Sequence, residues 1–307
     1  MKNLQSIGEL GTKLGLAHIP GAKALYHVLY ETRWALVTRK VWDIEGSKMY
    51  LDTMAKGSLK HAFRGFIQCR GKESLTTKLF KDVVKEGATV VDLGANIGYY
   101  TLLAARLVGP NGIVYSFEPS RENFDVLSKN IALNGYTNVV AEQMAVSDIT
   151  GVVKLYLADT DVGAHTLRHI HSAPQFTEKD GGKFANVKAV TLDDYFSSKT
   201  NHIDVIKMDI EGAEMLALQG MDGILTDNPG IKLFAEFYPT GIREIGCVPE
   251  HFVDMLMNHY GFSITAIDEL RDATNEYIKI ISVSQLMGLC SDREKIVNLF
   301  MERTDKK

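Results

Sequence analysis

Four carboxylates in this chain stand at or near the ends of apolar runs, where strands give way to loops and ligands gain access. Glu118 follows Ile113-Val114-Tyr115-Ser116-Phe117, and Asp209 follows the run from Ile203 to Met208. Glu236 lies in Phe234-Ala235-Glu236-Phe237-Tyr238, and Asp92 precedes the turn Gly94-Ala95-Asn96-Ile97-Gly98. A glycine turn between strand and helix lets a ligand approach bare backbone, and the helix offers N–H groups to an electronegative atom. An acid about twenty residues beyond such a turn, here Glu118, is placed to take both hydroxyls of a ribose. Asp209 and Glu236 suit a different task, which is to draw a proton from an alcohol or to orient one.

The turn discriminates between nucleoside cofactors. A dinucleotide site requires G-x-G-x-x-G so that the backbone can close on a pyrophosphate. Counted from Gly94, that template needs glycines at 96 and 99, where Asn96 and Tyr99 stand. Their side chains would crowd a diphosphate, and Asp92 would repel it. S-adenosylmethionine has an ammonium group, a sulfonium and a ribose but no phosphate, so it fits. An NAD(P)-dependent enzyme is the rival reading.

The elements that hold these residues read as alternating strands and helices. Strands are expected at about 88–93, 112–118, 138–144, 203–209, 231–237, 262–267 and 276–283, with helices between most of them. Such alternation predicts a mostly parallel sheet covered on both faces. Asn134-Gly135 stops the helix after Glu118. Residues 151–193 break the rhythm: 152–157 and 185–190 form an extra strand pair around a polar loop, an insertion suited to substrate contact. Residues 61–290 are read as the catalytic domain, and 291–307 as a C-terminal helix (Ser291 to Glu302) and tail. Residues 1–60 form an extension with a strand or hairpin around Gly46. In it, a helix over 22–36 presents Leu25, Val28, Leu29 and Leu36, either as a packing face or as a lid or membrane-surface helix aided by Lys23, Arg33, Arg39 and Lys40.

Composition narrows the classes. The 307 residues are 45% hydrophobic, ample for a large α/β core, and a net charge of −4 without a basic run argues against nucleic-acid binding. Cys69, Cys247 and Cys290 lack any C-x-x-C spacing and read as reduced thiols of a cytoplasmic protein. No signal peptide or membrane-spanning run is evident.

Lys207-Met208-Asp209-Ile210-Glu211-Gly212-Ala213-Glu214 adds a second acidic cluster, with Lys207 and Asp209 on one side of the strand and Glu211 and Glu214 in the next helix's first turn. That segment, with Val91-Asp92-Leu93-Gly94-Ala95-Asn96-Ile97-Gly98 and Phe117-Glu118-Pro119, resembles the FkbM-type methyltransferases from about Tyr50 to Tyr238. The resemblance implies a Rossmann-like, seven-stranded class I methyltransferase fold and O-methylation of hydroxyls on sugars, glycolipids or polyketide-like products. It also implies that Asp92, Gly94, Asn96 and Gly98 hold the methionine end of the cofactor and Glu118 the ribose. Ser147 and Asp148 would lie beside the adenine, while Glu73 resembles an acid that precedes the first strand.

Two activations of the acceptor hydroxyl are open. In one, Asp209 is the base and Glu236 orients the hydroxyl. In the other, Asp209, Glu211 and Glu236 hold Mg²⁺, which prefers oxygen ligands. His165, in the insertion, is a further candidate base with the pKa for the task. N-methylation of protein or nucleic acid is a rival, disfavoured because nucleobase N-methylation commonly uses a proline-aromatic tetrad where this chain has Asp209-Ile210-Glu211-Gly212. A non-catalytic cofactor-binding subunit is another.

Overall fold

The computed structural model describes residues 32, 36–37, 40–55, 63, 74–157, 166–167, 184–199, 202–269, 277–290 and 296–303. The expected helix at 22–36 lies outside them, apart from two single positions, and so do Glu73, His165 and Cys69.

A hairpin comes first. β1 (Val41–Ile44) and β2 (Ser47–Tyr50) pair antiparallel across Glu45 and Gly46, both at positive φ (49° and 81°), as a two-residue hairpin turn requires. The α/β alternation then begins with α1 (Ser74–Val83), β3 (Thr89–Leu93), α2 (Tyr99–Val108), β4 (Ile113–Phe117), α3 (Arg121–Asn134) and β5 (Val139–Glu142). The insertion contributes β6 (Ala145–Val146), β7 (Gly151–Tyr156), β8 (Thr166–Leu167) and β9 (Phe184–Val190). After α4 (Leu192–Phe196) come β10 (Val205–Met208), α5 (Glu214–Gln219), α6 (Asp222–Asp227), β11 (Lys232–Phe237), α7 (Pro239–Glu244) and α8 (Pro249–Asp254). The described chain closes with β12 (Ser263–Ile267), β13 (Tyr277–Ile280), α9 (Val283–Leu289) and β14 (Val297–Glu302).

The main sheet runs β13-β12-β14-β11-β10-β3-β4-β5. From β5 to β11 neighbouring strands are parallel, whereas β14 is antiparallel to both β11 and β12. Seven of these strands make the sheet that the resemblance led us to expect, and β13 is added at one edge. Its central strands are buried on both faces: Val91, Ile206, Met208 and Leu233 belong to one apolar cluster, and Val90, Val114, Val205 and Phe234 to another. That two-sided burial is why these strands read as continuous apolar runs.

The C-terminal expectation is corrected. Residues 297–302 form β14, not a helix, and belong to the main sheet rather than to a tail beyond residue 290. A short apolar run such as Val297-Asn298-Leu299-Phe300-Met301 has no periodicity that separates a buried strand from a helix. The vacant slot between β11 and β12, with ladder partners on both sides, decides in favour of the strand. The expected strand pair forms, with β7 and β9 antiparallel, and β6 and β8 complete a small sheet of order β6-β9-β7-β8.

Candidate active site

β3 has β4 on one side and β10 on the other, so the chain reverses its winding between β3 and β10. Ligands bind at the carboxyl ends of strands at such a point. There the structure has a cavity of about 220 Å³. Gly94, Asn96, Phe117 and Glu118 line one side, and Asp209, Ile210, Glu211 and Glu236 the other. Met144, Ala145 and Val146, with Leu155 of β7 and Leu167 of β8, supply an apolar wall from the small sheet.

Four N–H groups of the glycine turn are spent internally. Gly94 and Ala95 donate to the Phe117 carbonyl at 2.9 and 3.0 Å, Asn96 to Glu118 Oε2 at 2.8 Å, and Gly98 to the Ala95 carbonyl at 2.8 Å. What the turn presents instead is Asn96. Its φ of 50° is unusual for a residue with a side chain, and its buried Oδ1 finds no partner among the described residues. Gly94, at φ 77°, is required by packing, since a Cβ there would lie 1.9 Å from the Asp209 carbonyl oxygen. Gly98, at φ 99°, is the N-cap of α2 and lies outside the lining.

Glu118 accepts from Ser120 N–H at 2.8 Å and from Asn123 Nδ2 at 3.4 Å, besides Asn96. Burial pushes its carboxyl up to about 7, against these bonds to the charged form. Asp92, expected to hold the methionine end of the cofactor, is not among the residues that line the cavity. It lies behind the cavity wall, fully buried, and accepts from Thr101 Oγ1 at 2.6 Å, with burial raising it to about 6. Ser147 and Asp148 also stand outside the lining; the Ser147 hydroxyl donates to Asp148 Oδ1 at 2.9 Å. The three residues before them, Met144 to Val146, occupy that wall instead.

The acids after β10 and β11 do converge. Asp209, Glu211 and Glu236 each bring a carboxylate oxygen within 4.8 Å of the other two. Lys207, 1% exposed, reaches Asp209 Oδ2 with its Nζ at 3.2 Å and lies 5.0 Å from the Tyr100 ring centroid. Glu211 stands before α5 rather than within its first turn, at a left-handed φ of 54°, and its carbonyl accepts from Thr166 Oγ1 of β8 at 2.8 Å. Glu214, fully buried, accepts from the Ile210 N–H at 3.2 Å and so closes the loop, and burial raises its carboxyl to about 7. Burial also raises Glu236 well above the carboxylate range, Asp209 and Glu211 adding to the effect, and its Oε2 is buried without a partner among the described residues.

Residues 92–264 match the Methyltransferase FkbM domain, over half of the chain. The chain belongs to the FkbM methyltransferase family. It is 30% identical over 199 residues to methyltransferase sdnD of Sordaria araneosa, covering 57% of this chain and 74% of the relative. Methyltransferase 1 of Beauveria bassiana is 27% identical over 161 residues, covering 47% and 64%. Among solved structures, the O-methyltransferase from Bacillus cereus in complex with SAH aligns at a TM-score of 0.43 with 14% identity, covering 75% of this chain and 81% of that one.

This FkbM protein is thus an S-adenosylmethionine-dependent methyltransferase, and its cavity suits that cofactor. The carboxylates of Asp209 and Glu211 in its lining would repel a dinucleotide's diphosphate but attract an ammonium or sulfonium. Asn96 Oδ1 is a buried acceptor that meets no donor among the described residues. Sequence reasoning assigned no role to Lys207 or Thr166. A lysine two residues before an acid on an otherwise apolar strand was the available signal for the first. Thr166 carried none, because its partner is a backbone carbonyl 45 residues away.

Proposed function

We propose that this FkbM methyltransferase is an O-methyltransferase acting on a hydroxyl of a small molecule, a sugar or glycolipid, or a natural product. The reading is carried by the meeting, in one cavity, of the acids after β10 and β11 with the turn after β3 and with Glu118. In this proposal Asn96 and Glu118 hold the cofactor, which supplies an electrophilic methyl group when bound. Asp209 takes the proton from the acceptor hydroxyl at Oδ1 or Oδ2. Lys207, whose Nζ lies 3.2 Å from Asp209 Oδ2, holds that carboxylate in place. Glu236, whose carboxyl burial raises well above its ordinary range, orients the acceptor oxygen. Leu155 and Leu167 exclude water on the remaining side.

A divalent cation on Asp209, Glu211 and Glu236 is a second reading, favoured by the spacing of their oxygens. Lys207 weighs against it, because its ammonium already neutralises Asp209 and would repel a second cation. The test is transfer of labelled methyl from S-adenosylmethionine to a panel of hydroxyl acceptors, with and without EDTA. Asp209→Asn should cut turnover about 10²–10⁴-fold and leave S-adenosylhomocysteine affinity within about twofold, since it removes only a proton acceptor. Turnover abolished by EDTA and restored by Mg²⁺ would replace the base reading with the metal one.

A further inference from the structure

The N-terminal hairpin is wired to the cofactor turn through one side chain. Asn130 of α3 is 0% exposed, and both ends of its amide are used. Its Oδ1 accepts the Tyr50 N–H of β2 at 2.6 Å, and its Nδ2 donates to the Ile97 carbonyl at 2.8 Å. One turn on, Asn134 accepts from the Lys48 N–H and donates to the Lys48 carbonyl, both at 2.7 Å. α3 thus treats the outer edge of β2 as a neighbouring strand would, offering amide groups in place of a ladder. Earlier on the same helix, Asn123 donates to Glu118.

A second observation joins the same parts. Ile97 packs in one apolar cluster with Trp42 and Met49 of the hairpin, Leu51 just after it, and Leu102 and Val126. Ile97 adjoins Asn96, whose left-handed backbone lines the cavity and persists only if its surroundings over-determine it. The hairpin supplies part of those surroundings, by an amide bridge to the Ile97 carbonyl and an apolar seat for its side chain.

We infer that Asn130 is a positioning residue for cofactor binding, and that the hairpin of residues 41–50 is part of the cofactor site although it does not line it. This rests on the reading that the turn from Gly94 to Gly98 holds the cofactor. Coupling is reciprocal, so a ligand that settles the turn must also settle the hairpin.

Amide hydrogen exchange of the intact protein, with and without S-adenosylhomocysteine, tests this without any variant. The expected result is slower exchange at Asn96 and Ile97 and also, by about threefold or more, at Lys48 and Tyr50. Protection at the turn with no change in the hairpin overturns the inference and leaves the cofactor site standing. Binding with protection at neither place overturns both. In parallel, Asn130→Ala loses the bonds to both Tyr50 and Ile97; loss of the one to the cofactor turn should weaken S-adenosylhomocysteine about tenfold and raise KM for the cofactor with kcat little changed. Asn130→Asp, which keeps the acceptor for Tyr50 but not the donor to Ile97, should bind as weakly as the alanine variant. A folded Asn130→Ala protein with unaltered affinity would sink the idea.

Discussion

Glu118 and Asp92 are both acids near the same glycine turn, yet the structure separates their work. Glu118 faces the cavity and is held by two backbone N–H groups, whereas Asp92 faces Thr101 inside the protein. Glu118→Ala removes charge-assisted hydrogen bonds, so S-adenosylhomocysteine affinity should drop about 10–100-fold in a calorimetric titration. Asp92→Ala should mainly lower the thermal midpoint and affect affinity less, because the loss lies behind the wall. Equal affinity losses in the two variants would put Asp92 back in contact with the ligand. The chemistry of Asp209 likewise depends on a neighbour, since Lys207 reaches it from the same strand.

At the scale of elements, close backbone packing shapes the site. Gly212, at φ 94°, would drive a Cβ to 2.5 Å from the Gly241 carbonyl carbon, so the acidic loop rests directly on α7. The turn after β3 rests on the same loop through Gly94. β14 is secured at its end by Arg303, whose guanidinium donates to the carbonyls of Tyr260 at 2.7 Å, Asn228 at 3.0 Å and Leu225 at 2.9 Å. Arg303→Ala leaves three carbonyls without that donor and should cost about 2–4 kcal/mol of stability. Urea denaturation measures the loss, and the cofactor affinity of the folded fraction should be unchanged because Arg303 lies away from the cavity lining. A midpoint identical to the parent's would mean that strand pairing alone secures β14.

For the molecule as a whole, burial of acids near the site links stability to pH. Asp92 is raised from 3.8 to about 6, and Glu118 and Glu214 from 4.5 to about 7. The folded state therefore binds protons more tightly than the unfolded one at all three positions. Their stabilising contribution is full below about pH 4 and is lost as pH rises through about 6 to 7. Thermal melts of the cofactor-free protein should accordingly show a higher midpoint at pH 5.5 than at pH 8. Glu214→Gln, which keeps the neutral form at every pH, should reduce that slope. A midpoint that rises toward pH 8 would contradict the assignment.

The fold was largely legible because its central strands are buried on both faces and announce themselves as apolar runs, each closed by a polar residue. Asn96, Glu118, Asp209 and Glu236, which line the cavity, could be picked out for a related reason, since a polar residue at or near the end of an apolar strand points to the sheet's ligand-binding edge. What the chain alone did not reveal depends on distant partners. β14 became a strand because β11 and β12 left a slot for it, and Asp92 turned inward because Thr101 was there to meet it. Asn130, Thr166 and Lys207 gained their roles from groups that only the folded chain brings near. Local pattern determined which elements exist and which acids end them; tertiary contact decided which of those acids share a cavity and what holds them there.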